Sequence, residues 1–488
     1  VHRVVFASGG NGLLPDDLRC WLCDQLTFFE RRFDFVNTNS NGNAQLELIE
    51  RKLYEVDPNT GAIVFGLGML PRIRSLLTQL GHKVVCQGGT LRQLHAREYP
   101  NAAYTDFDGM LLEYTPFPDQ VTCLSKILAS DGGVISATTG YGKSTMMRML
   151  CRLYAKAKIH IVTKAKTLAL EIYQDLIQKF PDVGFIGNNK RSFGRITVVM
   201  ADSIHHGQGD ADIVLADEGH ELAAPKYTGK LGTYTRARMF TFSASPKGRS
   251  DNRDVCLEAV FGPQIHTMSY QEAQALGRVV PITVEWLHVA EGPGVDHLQF
   301  PTAREEIGIW QNETRNRIIA DRARKFGPDE QVMIMVKTID HAVHLKSFLP
   351  DYTLAYAGNG MDPARLKRYV KRGLLRPDEP LMTSKRINQL RQDFADQKIK
   401  KVIANYVWST GVNFRYLTGL IRADAAGSTI RDTQIPGRAC RRVAGVKESA
   451  ILVDCADEWC QRYYQKALNR RKNYEEKGWT QTWFNQEA

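Results

Sequence analysis

One stretch constrains this chain more than any other: Ala137-Thr138-Thr139-Gly140-Tyr141-Gly142-Lys143-Ser144-Thr145. A short apolar run, Val134-Ile135-Ser136, precedes it. Lys143–Ala157 follows, with Met146, Met149, Leu150 and Leu153 at helical spacing. The order predicts strand, glycine-rich loop, helix. That setting turns backbone N–H groups and a helix N-terminus toward an anion, so the loop is a candidate phosphate cradle. Gly140 and Gly142 let the backbone wrap closely, with Thr138, Thr139, Tyr141 and Thr145 completing the loop. Lys143 can reach β- and γ-phosphates, and the Ser144 hydroxyl can ligate Mg²⁺. The general pattern has Gly where this chain has Ala137.

At 488 residues the chain is too long for one core, and about two to four domains are expected. Its 43% hydrophobic and 24% charged residues suit a globular protein. No apolar run reaches roughly 18 residues, so no membrane span is expected. The first residues lack the basic-then-apolar pattern of a leader. The expected location is cytoplasmic, the host cytoplasm if the chain is phage-encoded. A net charge of +11 suits a polyanionic partner, nucleic acid before an anionic membrane surface. Cys20-x-x-Cys23 has no second pair at zinc-site spacing, so core thiols in a reducing compartment are expected.

Residues 1–113 read as a small α/β unit. Asp16–Glu30 reads as a helix, Phe33–Val36 as a strand and Asp57-Pro58-Asn59-Thr60-Gly61 as a hairpin turn. Pro71–Leu80 reads as a helix ended by Gly81. Arg72, Arg74, Lys83, Arg92 and Arg97 make the unit a candidate for nucleic-acid recognition. Pro116 and Pro118 mark a boundary. Gln120 then offers donor and acceptor together, as an adenine edge requires.

From there strands and helices alternate. Ile159–Val162 ends in Thr163-Lys164, and Ile196–Met200 in Ala201-Asp202-Ser203. Ile213–Ala216 ends in Asp217-Glu218-Gly219-His220, and Met239–Phe242 in Ser243-Ala244-Ser245. In an open parallel sheet such strand ends form the ligand crevice. Asp217 is placed to hold Mg²⁺, Glu218 to position an attacking water, and His220 to sense a γ-phosphate.

A second alternating block starts near Pro281. Gln331–Val336 ends in Lys337-Thr338, and Lys401–Ala404, Gly419–Arg422 and Ala450–Asp454 read as strands. Arg365–Arg376 is irregular and basic, either a solvated helix face or a nucleic-acid patch. Arg438 and Arg441 would share one face if their stretch is helical, a pair suited to clamping a γ-phosphate.

Taken in order, these blocks resemble the superfamily 2 helicases and translocases. They are Phe117–Gln120, Ala137–Thr145, Thr163-Lys164, Asp202-Ser203, Asp217–His220, Ser243–Ser245, Lys337-Thr338, Ser409–Asn413 and Gln434–Arg441. Ala404-Asn405-Tyr406, Ser409-Thr410-Gly411, Ile435-Pro436-Gly437-Arg438 and Leu452-Val453-Asp454 look like the phage UvsW-type branch-migration helicases, with the XPB and RecG groups more distant. The resemblance spans about residues 114–455.

The resemblance implies an α/β fold with two tandem RecA-like lobes, parallel sheets flanked by helices, after a small α/β N-terminal domain. The expected divisions are 1–113, 114–280 and 281–488, the last carrying a basic helical tail. ATP and Mg²⁺ are the implied cofactors. Lys143, Asp217, Glu218, His220, Arg438 and Arg441 would carry hydrolysis. Gln120, the loop residues 138–145, Gly411, Asn413 and Gln434 would bind nucleotide, with Ser144 and Asp217 on the metal. Thr163, Lys164, Asp202, Ser203, Lys337, Thr338 and Thr410 would contact nucleic acid, and Ser243 and Ser245 would couple hydrolysis to movement. Three departures stand out: Ser245 where Thr is usual, Asn413 where an acidic ribose ligand is common, and Gly219 in place of the usual Ala.

The expected activity is an ATP-dependent DNA helicase on branched DNA, moving 3′→5′ by family likeness, with no membrane role. The alternatives are an RNA helicase, the motor subunit of a restriction or defence complex, and an ATP-gated annealing or clamp protein without turnover.

Overall fold

The computed structural model describes residues 3–5, 14–38, 44–84, 116–206, 211–234, 237–244, 251–357, 360–408, 414–427, 436–443 and 445–483. The chain falls into two compact units, residues 1–137 with 142–268, and residues 138–141 with 269–488. Among the described residues, no helix is long and apolar enough to cross a membrane.

The first unit opens with β1 (Arg3–Val5), β2 (Thr27–Thr38), β3 (Ala44–Lys52), β4 (Tyr54–Val56) and β5 (Ile63–Gly66). β2 and β3 form an antiparallel ribbon, and β1, β5 and β4 an antiparallel sheet in that order. The β4–β5 turn lies where the sequence puts it. The Asp57 carboxylate accepts from the N–H of Asn59 (2.8 Å) and Thr60 (3.3 Å), and Gly61 takes φ 67°. Helices Asp16–Gln25 and Leu70–Gln79 close a small core around Leu22, Ile63, Phe65, Met69 and Ile73. The first helix stops short of the expected Glu30. From Thr27 a β-branched and aromatic run, Thr27-Phe28-Phe29, pairs with Lys52, Arg51 and Glu50 instead. Cys23 is half-buried against this core, as expected of a core thiol, whereas Cys20 is exposed.

This module is seated on residues 251–259 of the same unit. Glu30 is buried between Arg51 (2.7 Å) and Arg253. The Arg31 N–H donates to the Asp251 carbonyl (3.2 Å), and Arg72 pairs with Glu258 (3.1 Å). A Cβ on Gly66 or Gly68 would collide with the backbone of Ala259 or Glu258, so both glycines are needed for the approach. Arg72, expected to meet phosphate, is therefore held by Glu258. Arg92 and Arg97 lie outside the described residues.

The rest of the unit is an eight-stranded sheet. Its strands are β6 (Gly132–Ala137), β7 (Ile159–Thr163), β8 (Val183–Gly187), β9 (Lys190–Ser192), β10 (Ile196–Met200), β11 (Ile213–Asp217), β12 (Arg238–Ser243) and β13 (Gln264–Met268). The order is β13-β6-β12-β11-β7-β10-β8-β9, parallel except for the β8–β9 hairpin. β7, β11 and β12 are buried along their whole length, as parallel strands covered on both faces must be. At the start of β12, the buried Arg238 guanidinium donates to the carbonyls of Leu128 (2.9 Å) and Ile127 (3.1 Å) and to the Tyr154 hydroxyl (2.9 Å). It thereby caps the C-terminal carbonyls of helix Pro118–Leu128, the helix that carries Gln120.

The second unit holds a seven-stranded parallel sheet. Its strands are β14 (Ile282–Val289), β15 (Gln331–Met335), β16 (Thr353–Ala355), β17 (Lys401–Ala404), β18 (Leu417–Arg422), β19 (Ala450–Asp457) and β20 (Thr480–Trp483), in the order β16-β17-β15-β18-β19-β14-β20. The basic stretch expected to be irregular contains a helix, Pro363–Lys371, started by the Asp362 carboxylate accepting from the Arg365 N–H (2.7 Å). Arg365 is turned inward onto Asp340 (2.6 Å). The C-terminal segment is not a free basic tail. Helix Gln461–Glu476 packs on the sheet, and β20 extends the sheet beside β14.

Two of the fully buried arginines of this unit, Arg315 and Arg470, make its shortest fully buried ion pairs among the described residues. Arg315 pairs with Asp457 (2.7 Å), and Arg470 pairs with Asp454 (2.8 Å) while donating to the Cys455 carbonyl (3.0 Å). Removing one member of such a pair leaves a buried charge unpaired, at a cost of about 3–5 kcal/mol. Arg470→Ala should therefore lower the free energy of unfolding, measured by denaturant titration, by that much. A change under 1 kcal/mol would show that Asp454 is not held by Arg470.

Candidate active site

The glycine-rich loop has the predicted geometry. β6 ends at Ala137, and the helix begins at Lys143 after Gly140 (φ 90°) and Gly142 (φ 99°), both in the left-handed region that Gly enters freely. The Lys143 ammonium donates to the Ala137 carbonyl (3.0 Å) and closes the loop on itself. The Tyr141 N–H turns back to the Thr138 carbonyl (3.3 Å). Ser144 is exposed at the first turn of the helix, and Thr145 accepts from Arg148 (3.1 Å). Gln120 is buried. Its Oε1 accepts from the Phe117 N–H (3.1 Å), and its Nε2 fills the space beside Gly142 where a Cβ would stand. The residue expected to read the base is thus packed against the end of the glycine-rich loop.

Two strands over from β6, β11 delivers Asp217 at its last position, with β12 between them. Adjacent strands are spaced by about 4.8 Å, which puts the Asp217 strand roughly 10 Å from the loop strand, with Ser243 at the end of the strand between. Asp217 is buried, and its Oδ1 accepts from the Glu218 N–H (3.0 Å). Burial and the neighbouring Glu218 push its carboxyl up to about 7, partly offset by the Lys143 ammonium. A divalent cation would supply the charge that this carboxylate lacks, so Asp217 and the exposed Ser144 fit a Mg²⁺ ion. Glu218 sits at φ 52°, a left-handed conformation uncommon outside glycine. Its Oε2 is buried without a hydrogen-bond partner among the described residues and lies 3.4 Å from His220 Nδ1. An acceptor held this way is suited to orienting a water. His220 Nδ1 also lies 2.9 Å from Ser243 Oγ, joining the acidic turn to the end of β12.

Gly219 has a local cause. A Cβ there would overlap Thr241 Oγ1, which donates to the Ala216 carbonyl (3.2 Å) in the neighbouring strand. Gly219→Ala should push the 217–220 turn off its strand end and lower ATP turnover by about tenfold or more. Adding Thr241→Ala, which removes the obstructing hydroxyl, should restore most of it. A double variant no better than the single one would refute this pairing.

Other expected residues are placed differently. Thr163, expected at nucleic acid, is wholly buried, with its hydroxyl unpartnered among the described residues; the adjacent Lys164 is the exposed one. Asp202 pairs with Lys226, which holds its carboxyl below the usual range, and Ser203 is half-buried beside it. In the second unit Lys337 pairs with Glu305, and Thr338 caps helix Ile339–Phe348 by accepting from the His341 N–H (3.2 Å). Arg438 and Arg441 do not share a helix face. The helical turn covers only Pro436–Arg438, and Arg441 forms a bridge with Val279. Ser245, Thr410, Gly411, Asn413 and Gln434 lie outside the described residues. Arg238 and Thr241 were missed by sequence reasoning, since each acts across strands and belongs to no motif.

No curated protein matches this sequence. Residues 113–248 match the family model described as "Type III restriction enzyme, res subunit". Among solved structures, a fragment of a putative HsdR subunit of a type I restriction enzyme from Vibrio vulnificus YJ016 is similar over 91% of this chain and 90% of that one, at 16% identity and TM-score 0.52. The two parallel-sheet units flanked by helices resemble the fold of the superfamily 2 helicases. T4 UvsW aligns over 96% of this chain and 95% of its own at 17% identity, TM-score 0.40. The Type ISP restriction-modification enzyme LlaBIII, bound to DNA, aligns over 74% of this chain at 15% identity and TM-score 0.49; this chain spans only 30% of its length.

Proposed function

We propose that the chain is an ATP-driven nucleic-acid motor, a DNA translocase with helicase activity. One observation carries this reading: Lys143, Asp217, Glu218, His220 and Ser243 come from three neighbouring strands and meet at one sheet edge, linked by the Glu218–His220–Ser243 contacts. Lys143 would neutralise phosphate charge, Asp217 and Ser144 would hold Mg²⁺, and Glu218 would orient the attacking water. Bound Mg²⁺ would supply charge neutralisation between the phosphate oxygens. The His220–Ser243 contact would transmit loss of the γ-phosphate to β12. Arg438 and Arg441 are proposed to assist hydrolysis, as the motif likeness implies.

The likeness to UvsW-type helicases makes branched DNA the first substrate to test, with 3′→5′ movement. The test is ATPase stimulation by a fork, a Holliday junction and a linear duplex of equal length, at fixed salt, because phosphate-driven affinity depends steeply on salt. The reading expects the branched forms to stimulate several-fold more. Equal stimulation removes the branched-substrate assignment and leaves the motor. A second reading has a specific basis: the res-subunit match and the likeness to the HsdR fragment favour the motor subunit of a restriction complex. That reading expects stimulation by linear duplex and co-purification of a nuclease or methylation subunit.

A further inference from the structure

The turn that carries the two arginines is held by a residue outside every motif. Lys447 is 2% exposed, yet among the described residues no carboxylate pairs with it. Its ammonium donates to the Ala439 carbonyl (2.6 Å), between Arg438 and Arg441 in the chain. A tight hairpin brings it there. Val443 and Lys447 form an antiparallel bridge, with the Lys447 N–H donating to the Val443 carbonyl (2.8 Å), and Gly445 makes the bend at φ 71°. Glu448 fastens the outside of the hairpin through Arg442 (2.8 Å) and the Gly445 N–H (3.1 Å).

The arginine turn is also held by backbone bonds and by the Cys440 thiol, which donates to the Pro436 carbonyl (3.6 Å). The Ala439 N–H donates to Pro436 (2.8 Å), Cys440 to Gly437 (3.4 Å), and the Val280 N–H to Cys440 (2.8 Å). Among the described contacts of this turn, the Ala439 carbonyl is met by a side-chain cation. Burying an ammonium without a carboxylate is costly, and burial pushes Lys447 down to about 8, with Arg441 adding to the effect and Cys440 opposing it. A site needed only for packing would be better filled by methionine.

We infer that Lys447 is a positioning residue for the arginine turn, fixing through the Ala439 carbonyl the backbone from which Arg438 and Arg441 leave. This rests on the reading that those arginines take part in ATP hydrolysis.

The experiment compares Lys447→Met, Lys447→Gln, Arg438→Ala and Arg441→Ala in the full chain. It measures kcat for fork-stimulated ATP hydrolysis, the Kd of a fluorescent ATP analogue, and Tm. For Lys447→Met the expected result is a kcat about tenfold lower, with Kd within twofold and Tm unchanged or higher. Lys447→Gln, which keeps a donor on a shorter side chain, should fall between, and it carries the test if Lys447→Met does not fold. A folded Lys447 variant with wild-type kcat overturns the inference, as does a kcat loss explained by a matching fall in Tm. If the arginine variants lose turnover and the Lys447 variants do not, only this inference fails. If the arginine variants also keep full turnover, the arginine reading fails first and takes this inference with it.

Discussion

Lys143→Ala should reduce ATP hydrolysis by about a hundredfold or more while leaving nucleic-acid binding nearly intact. Lys143 opens its helix after Gly142, and its ammonium now rests on the Ala137 carbonyl. That carbonyl is a weak substitute for phosphate, so little has to be broken when nucleotide enters. On the proposed reading, removing the lysine would take a side-chain cation away from the charge developing on the phosphoryl group, whereas the loop backbone and Ser144 would remain. Steady-state ATPase and a DNA-binding titration at the same salt provide the check. A variant that turns over ATP at the wild-type rate would refute the assignment of the loop.

Asp217→Asn should abolish turnover and, in nucleotide-free protein at pH 8, raise Tm by roughly 5 °C. The sign follows from its environment. Burial, then Glu218, push the Asp217 carboxyl up to about 7. An acid whose pKa rises on folding binds its proton more tightly in the native state. Stability therefore falls as pH climbs from about 4 to 7, and above 7 the full cost of the ionised carboxylate is present. At pH 5 the wild-type carboxyl is mostly protonated, so the advantage of asparagine should shrink. Mg²⁺ with nucleotide should stabilise the wild type and not the variant. Scanning calorimetry at pH 5 and pH 8 decides it. The same Tm difference at both pH values, or a less stable variant at pH 8, would contradict the account.

The first half of the site was legible because its chemistry lies in consecutive residues. Ala137–Thr145 and Asp217–His220 each combine a strand end with the groups it delivers, and apolar runs such as Ile213-Val214-Leu215-Ala216 mark the strands. The two parallel sheets followed from the same alternation. What escaped was chemistry set by neighbours in space. Thr241 explains Gly219 only once β11 and β12 are known to pair, with Ala216 opposite Thr241. Arg238 looks like any arginine before a strand until the helix end it caps is seen. The arginine pair at 438 and 441 misled because a spacing of three suggests a helix, and Pro436–Arg438 makes only one tight turn. In the Pro363–Lys371 helix basic and apolar residues are interleaved, so the stretch could be read as a solvated helix face or as a nucleic-acid patch.

The seating of the N-terminal module has a mechanical consequence. Its contacts fall on residues 251–259, a few positions beyond Ser243, the partner of His220. Glu30 is gripped from both sides, and Gly66 and Gly68 leave no gap for a side chain to act as a spacer. A module attached this way is tied to the segment that follows β12, so any displacement of that segment would be passed directly to the ribbon and helix that hold Glu30 and Arg72.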